Sequence, residues 1–328
     1  MLKPNLFIAG APKCGTSSMY YYLGAHPDVF MSERKEPRFF GADLELRDGF
    51  CIRDELEYLE LFRGGEGKRY RGEASVFYLY SQSAASEIRS YDPNAKIILQ
   101  LRDPIDMIVS WHHHSVATGN EDLRDLAVAI DAEADRREGR RLPRDVWYPA
   151  GLQYTALVDY APHVERFFDA FGRDRVHVLL FDDLAADAAS SYRAVLEYLE
   201  VDTAFQPDFE RKNPAAPLWL RPLHRVWIRN RRLREWTSRW IGPSQRREAL
   251  YRLQKLSLDS PKLADSVDSA DSTEATGSRV RAAALDPERR RQLQAQLAPC
   301  IDRLAELLAR DLSHWASDTA RERSDRKP

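Results

Sequence analysis

"FIAGAPKCGTSSMYYYL", Phe7 to Leu23, decides the fold. An apolar run ends at Gly10, a short glycine-bounded loop follows, and a helical stretch begins at Thr16. Strand, loop and helix in that order is the layout of a phosphate-binding P-loop. The usual spacing puts a lysine directly after the second glycine. Here Gly15 is followed by Thr16, Ser17 and Ser18, and the loop's lysine, Lys13, lies inside it. A helix N-terminus leaves amide N–H groups unpaired and carries the positive end of the helix dipole, so it favours an anion. Three adjacent hydroxyls add donors, and Lys13 adds one mobile charge. That set suits a single terminal phosphate or a sulfate anhydride, handled without magnesium. The competing reading is a strand-to-helix turn that uses glycine for geometry alone.

Working outward, residues 5–10 (NLFIAG) read as a buried strand and Thr16 to Ala25 as a helix. KIILQL, 96–101, is a second strand. Asp103 and Pro104 after it supply an N-cap and a proline at the first helical position of a helix running to about Thr118. VHVLLF, 176–181, is a third strand, followed by a helix over 187–200. Continuously apolar strands alternating with helices predict an α/β fold of P-loop type, three layers with a central parallel sheet and helices on both faces.

Bulk properties agree with an ordinary globular protein. The 328 residues are 43% hydrophobic and 30% charged, with a net charge of −2. That balance gives no global reason to expect a nucleic-acid partner. No run is long and apolar enough to span a bilayer. The first strand begins about four residues in, which leaves no n-region or cleavage site for a signal peptide. Cys14, Cys51 and Cys300 are scattered and odd in number, as free thiols in a reducing cytoplasm would be, and no metal-ligand spacing occurs.

Beyond Val201 the character changes. Residues 221–255 hold eleven Lys/Arg against two Glu, interleaved with Trp227, Trp236, Trp240 and Tyr251. This basic helical segment is read as an amphipathic cover for the sheet, with an anion-gripping surface as the rival. Residues 257–278 are small, polar and acidic, and predict a mobile insertion. An amphipathic helix resumes at Asp286. The whole chain, 1–328, reads as a single domain.

The loop is not alone. "PNLFIAGAPKCGTSS" (4–18) resembles the 5′-phosphosulfate loop of the sulfotransferases that use 3′-phosphoadenosine-5′-phosphosulfate, and further segments follow in that family's order. "GAHPDVFMSERKEPRFF" (24–40) is similar to the HP…KEP.FF segment of the carbohydrate and bacterial branches, and "GEAS" (72–75) to their GEASP. "LRDPIDMIVSW" (101–111) resembles the 3′-phosphate segment, "VHVLLFDDL" (176–184) their strand ending in an acidic pair and leucine, and "LARDLSHW" (308–315) the C-terminal close. The resemblance covers 4–200 and 285–315, and fades over 205–284. It implies an enzyme, a bacterial sulfotransferase that moves a sulfuryl group from that donor to a hydroxyl or amine of a small-molecule or carbohydrate acceptor.

The resemblance also implies site residues. Lys13, Cys14, Gly15, Thr16, Ser17 and Ser18 hold the 5′-phosphosulfate. Arg102 and Ser110 hold the 3′-phosphate; Ser110 lies about 9 Å up the helix that follows the strand. Arg279, in "GSRVRAAALDPE" (277–288), sits where relatives fold a basic loop over that phosphate. Lys13 and Glu36 are the catalytic pair: Lys13 stabilises charge on the leaving phosphate, and Glu36 takes the acceptor's proton. Phe39 and Phe40 beside Glu36 predict partial desolvation. Ala74 stands where several relatives have a lysine, and Val76 where proline is common, so a second catalytic cation is not assured. Glu73 either lines the acceptor cleft or pairs with a neighbour. His112, His113 and His114 cannot converge on one ion, since consecutive helical residues point about 100° apart; one facing the cleft is an alternative base, and two solvated with one packed is the expected arrangement. Cys14, beside Lys13 and before a helix N-terminus, predicts a reactive thiolate. Rival functions are a P-loop kinase or NTPase using "VLLFDD" to hold magnesium, and a nucleotide-binding module without catalysis. Nothing in the sequence reads out the oligomeric state.

Overall fold

A computed structural model of the chain describes residues 2–47, 51–209 and 285–316. The basic segment 221–255, the insertion 257–278 and Arg279 lie outside the described residues. The described residues cluster as one compact unit.

Five strands form one parallel sheet: β1 (Leu6–Gly10), β2 (Val29–Met31), β3 (Tyr70–Ala74), β4 (Lys96–Leu101) and β5 (Val176–Leu180), in the order β2-β3-β1-β4-β5. The three strands expected from apolar runs are present within a residue of their predicted limits. β2 and β3 were not expected. β2 is three residues long, and β3 reads YRGEA, which shows neither an apolar run nor alternation. Gly72 explains why such a sequence can be a strand: a Cβ there would lie 2.4 Å from the Met31 sulfur on β2. Its neighbour packs where a side chain would go.

The helices follow the same bottom-up logic. They are α1 (Thr16–Ala25), α2 (Glu55–Glu60), α3 (Ala84–Tyr91), α4 (Pro104–Thr118), α5 (Leu126–Asp131), α6 (Glu133–Arg137), α7 (Tyr154–Leu157), α8 (Tyr160–Phe171), α9 (Phe181–Ala186), α10 (Ala188–Leu199), α11 (Pro287–Leu308) and α12 (Ser313–Ala316). α4 starts as predicted: the Asp103 carboxylate accepts the Asp106 N–H at 2.9 Å, and Pro104 occupies the first turn.

Side chains alternate across the sheet. Phe7, Ile97, Leu99 and Leu101 face a core closed by α3, α4, α8 and α11, while Leu6, Ile8, Ile98 and Leu179 face one closed by α1 and α10. Burying each such side chain contributes about 1.5–3 kcal/mol. The arrangement is a parallel sheet covered on both faces. Because the strands run parallel, all five C-terminal ends open on one edge. β1 lies between β3 and β4, so the crevice where connections diverge, the usual ligand position in open α/β sheets, lies above β1 and β4.

Candidate functional site

The loop after β1 is tied down by β4. The Ala11 N–H donates to the Gln100 carbonyl at 2.7 Å, and the buried Gln100 amide donates to the Cys14 carbonyl at 3.2 Å. Gly15 caps α1 with φ 81°, a left-handed conformation, and a Cβ there would lie 2.8 Å from Leu184. No side chain caps α1, and its first turn holds no acidic residue. Its leading amides, Thr16, Ser17 and Ser18 therefore form a donor set suited to an anion. Lys13 sits exposed beside it at φ 65°.

Arg102, at the end of β4, reaches the same loop. Its guanidinium donates to the Lys13 carbonyl at 3.3 Å and lies 4.5 Å over the Phe181 ring. The Asp106 carboxylate stands 3.9 Å from Arg102 and 3.7 Å from Arg290, so α11 brings a second guanidinium next to the first. Arg290 was not foreseen; it lies 188 residues beyond Arg102, and nothing local marks it. Ser110 is buried on α4, eight residues past Arg102. Burial and the Asp106 charge raise the Asp103 carboxyl to about 6.

Cys14 corrects the expected thiolate. Its side chain is fully buried, and the thiol lies 3.3 Å from the Pro12 carbonyl. Burial pushes it up to about 12, outweighing the charges of Arg102 and Lys13. Its contribution to the loop is its backbone, held by Gln100.

The segment around Glu36 docks on this loop. Lys35 donates from Nζ to the Ser17 hydroxyl at 2.6 Å, which sets the segment against the first turn of α1. The Glu36 carboxylate accepts the Val76 N–H at 3.3 Å and meets Arg38 Nε at 3.5 Å. Arg38 is itself buried, with its guanidinium 5.2 Å from the Phe77 ring and 5.7 Å from Trp147. Phe39 stacks on Tyr58, and Phe40 packs edge-on against Phe7, Tyr58 and Tyr78. Phe40 belongs to the core, and the partly buried Phe39 packs against it.

Glu73 is fully buried and does not line a cleft. It accepts hydroxyl hydrogen bonds from Tyr58 (2.7 Å), Tyr78 (2.9 Å) and Ser75 (2.6 Å). Burial raises its carboxyl to about 7; the three hydroxyls pull it back, and the charge of Glu36 adds to the rise.

The histidines are more enclosed than predicted: one is packed, and the other two are only partly exposed. His112 is buried, with Nε2 2.9 Å from the Leu123 carbonyl. His113 and His114 are half-buried. Burial, with the charges of Lys13 and Arg38, holds the His114 imidazole down at about 3, so it is a neutral ring close to both cations. Among the described residues, no three His, Cys, Asp or Glu side chains group as metal ligands, and no helix is long and apolar enough to cross a membrane.

Comparison with known proteins follows the same outline. Residues 3–212 match the family described as the sulfotransferase domain. The chain is 32% identical over 113 residues to the membrane-associated sulfotransferase kil1 of Dictyostelium discoideum, which covers 34% of the chain and 23% of that protein. It is 32% identical over 264 residues to human carbohydrate sulfotransferase 15, covering 65% of the chain and 47% of the relative. The chain thus spans less than half the length of these curated relatives. A sulfotransferase structure from Alicyclobacillus acidocaldarius superimposes with a TM-score of 0.68 at 28% identity, covering 97% of this chain and all of that one.

Proposed function

The chain belongs to the sulfotransferase domain family, and from that premise we propose that it transfers the sulfuryl group of 3′-phosphoadenosine-5′-phosphosulfate to a hydroxyl or amine of a small-molecule or carbohydrate acceptor. The observation that carries this reading is the hydrogen bond from Arg102 to the Lys13 carbonyl. It couples an anion site at the strand end to an anion site at the start of α1, as a donor with phosphates at both ends of its ribose requires. The loop acts as a P-loop-type cradle: Lys13, the backbone at Cys14 and Gly15, Thr16, Ser17 and Ser18 hold the 5′ end. Arg102 and Ser110 hold the 3′-phosphate. Arg290 adds charge there, and Arg279 is assigned to the same phosphate.

The donor supplies an activated sulfuryl group; the chain supplies position and charge. Glu36 takes the proton from the acceptor as its oxygen or nitrogen bonds to sulfur. Lys13 hydrogen-bonds the phosphate oxygen that gains negative charge as its bond to sulfur breaks. Two observations disfavour the rivals. The acidic pair a kinase would use for magnesium is already engaged: Asp182 accepts the Trp315 indole N–H at 2.5 Å and lies 3.1 Å from His314 Nε2, while Asp183 pairs with Arg310 at 2.6 Å. And the Lys35–Ser17 bond keeps the Glu36 segment at the loop, where a module without catalysis has no need of it. The thiols of Cys14 and Cys300, which form no disulfide, support a reducing, cytoplasmic setting; a bacterial source and one sulfotransferase domain over the whole chain belong to the same reading.

Thermal unfolding tests the reading. Adenosine-3′,5′-bisphosphate raises Tm, with about 2.7 kcal/mol of stabilisation at a hundredfold excess over Kd. ATP with Mg²⁺ gives no comparable shift. A shift with ATP and Mg²⁺ alone would transfer the assignment to phosphoryl transfer.

A further inference from the structure

We infer that Glu73 is a positioning residue for Glu36, acting through Ser75 and Tyr78 on the backbone of residues 38–40. The inference rests on the reading of Glu36 as the proton acceptor. Glu36 and Arg38 have φ of 60° and 52°, a left-handed backbone that residues with side chains adopt rarely and only when their surroundings impose it. The surroundings here are specific. Glu36 donates its N–H to the Ala74 carbonyl at 2.8 Å. The Arg38 N–H donates to the Ser75 hydroxyl at 3.0 Å, and that hydroxyl donates in turn to Glu73. The Phe39 and Phe40 N–H groups donate to the Tyr78 hydroxyl at 2.9 and 3.2 Å, and it too donates to Glu73.

The direction of these bonds gives Glu73 its role. A hydroxyl has one proton. If Ser75 and Tyr78 spend theirs on Glu73, their lone pairs are left for the three amides. A carboxylate accepts from several hydroxyls at once, whereas an amide in its place offers one acceptor oxygen and two competing donors. Tyr58 also donates to Glu73 but holds none of these amides, so it serves as an internal control.

The test is a double-mutant cycle on the full chain. Release of inorganic sulfate from 3′-phosphoadenosine-5′-phosphosulfate, with water as the acceptor, is measured for Glu36→Gln, Glu73→Gln, the double variant, Tyr78→Phe and Tyr58→Phe. Amide exchange over residues 36–41 and affinity for adenosine-3′,5′-bisphosphate are measured alongside. Glu73→Gln and Tyr78→Phe are expected to slow release roughly 10- to 100-fold, the cost of misplacing a reacting group, with nucleotide affinity unchanged. In the Glu36→Gln background, Glu73→Gln adds nothing further. Exchange at 38–40 accelerates about tenfold, as loss of one net hydrogen bond allows, and Tyr58→Phe leaves it near the parent rate. Equal losses from Glu73→Gln in both backgrounds, or unchanged exchange at 38–40, would overturn the inference. Unchanged release in Glu36→Gln alone would instead remove Glu36 as the base.

Discussion

Two features of Cys14 favour a thiolate, the neighbouring Lys13 and the start of α1, and a third, complete burial, opposes it. Burial wins because the loss of water around the enclosed thiol outweighs the charges of Arg102 and Lys13. The expected outcome is that iodoacetamide modifies Cys51 and Cys300, which are partly exposed, and leaves Cys14 untouched until the protein unfolds. Mass spectrometry of the alkylated protein checks this; early labelling of Cys14 would show that the loop opens. The same contrast marks what the sequence discloses of the site. Lys13 and Gly15 stand in a short stretch whose spacing points to an anion loop, and the family resemblance points to Glu36, so all three can be proposed without a structure. Gln100, Ser75, Tyr78 and Arg290 could not, because each acts on a partner remote in the chain or through a hydroxyl that looks like any other. Exposure is equally illegible: three consecutive histidines have the same letter but three different surroundings.

Among the elements, β1, β4 and β5 were legible because a strand buried on both faces needs an apolar run. β3 was not, because its Gly72 and Glu73 meet local demands, a close neighbour and three hydroxyls, that cost it the pattern. The contacts that α9 makes are a further case. Its two aspartates bond to the stretch between α11 and the end of α12, and Trp315 is buried there. Trp315→Ala should cost about 3–5 kcal/mol by removing a large core side chain. Asp182→Asn should cost about 1.5–3 kcal/mol by weakening charge-assisted bonds. Urea unfolding midpoints measure both, and a loss under 1 kcal/mol for Trp315→Ala would mean that α12 does not dock stably.

For the molecule as a whole, five described histidines, His112, His113, His114, His163 and His177, are held below their usual range, burial being the main cause in each. Below about pH 6.5 the unfolded chain binds protons that these imidazoles refuse in the folded state, so stability falls as the pH drops. Glu73, Asp103 and Glu133 are raised, bind protons earlier in the folded state, and oppose the trend. The imidazoles outnumber them. Stability should therefore decline between pH 7 and 5.5, by about 1.4 kcal/mol per pH unit for each net proton taken up on unfolding. Denaturant titrations across that range measure the slope, and a flat or rising profile on acidification would contradict the buried, neutral imidazoles. The bonds from α9 to α12 have a consequence in time as well as in energy. Asp182 waits for partners 132 and 133 residues further along the chain. At ordinary rates of synthesis that wait lasts roughly 7–27 s. Over that interval the apolar surface of α4 and α8 that Leu293, Leu297, Ile301 and Leu304 will cover stands open. Until α11 emerges, the nascent chain holds its anion-binding end largely built and one apolar face bare, an exposed surface of the kind that chaperones of emerging polypeptides shield.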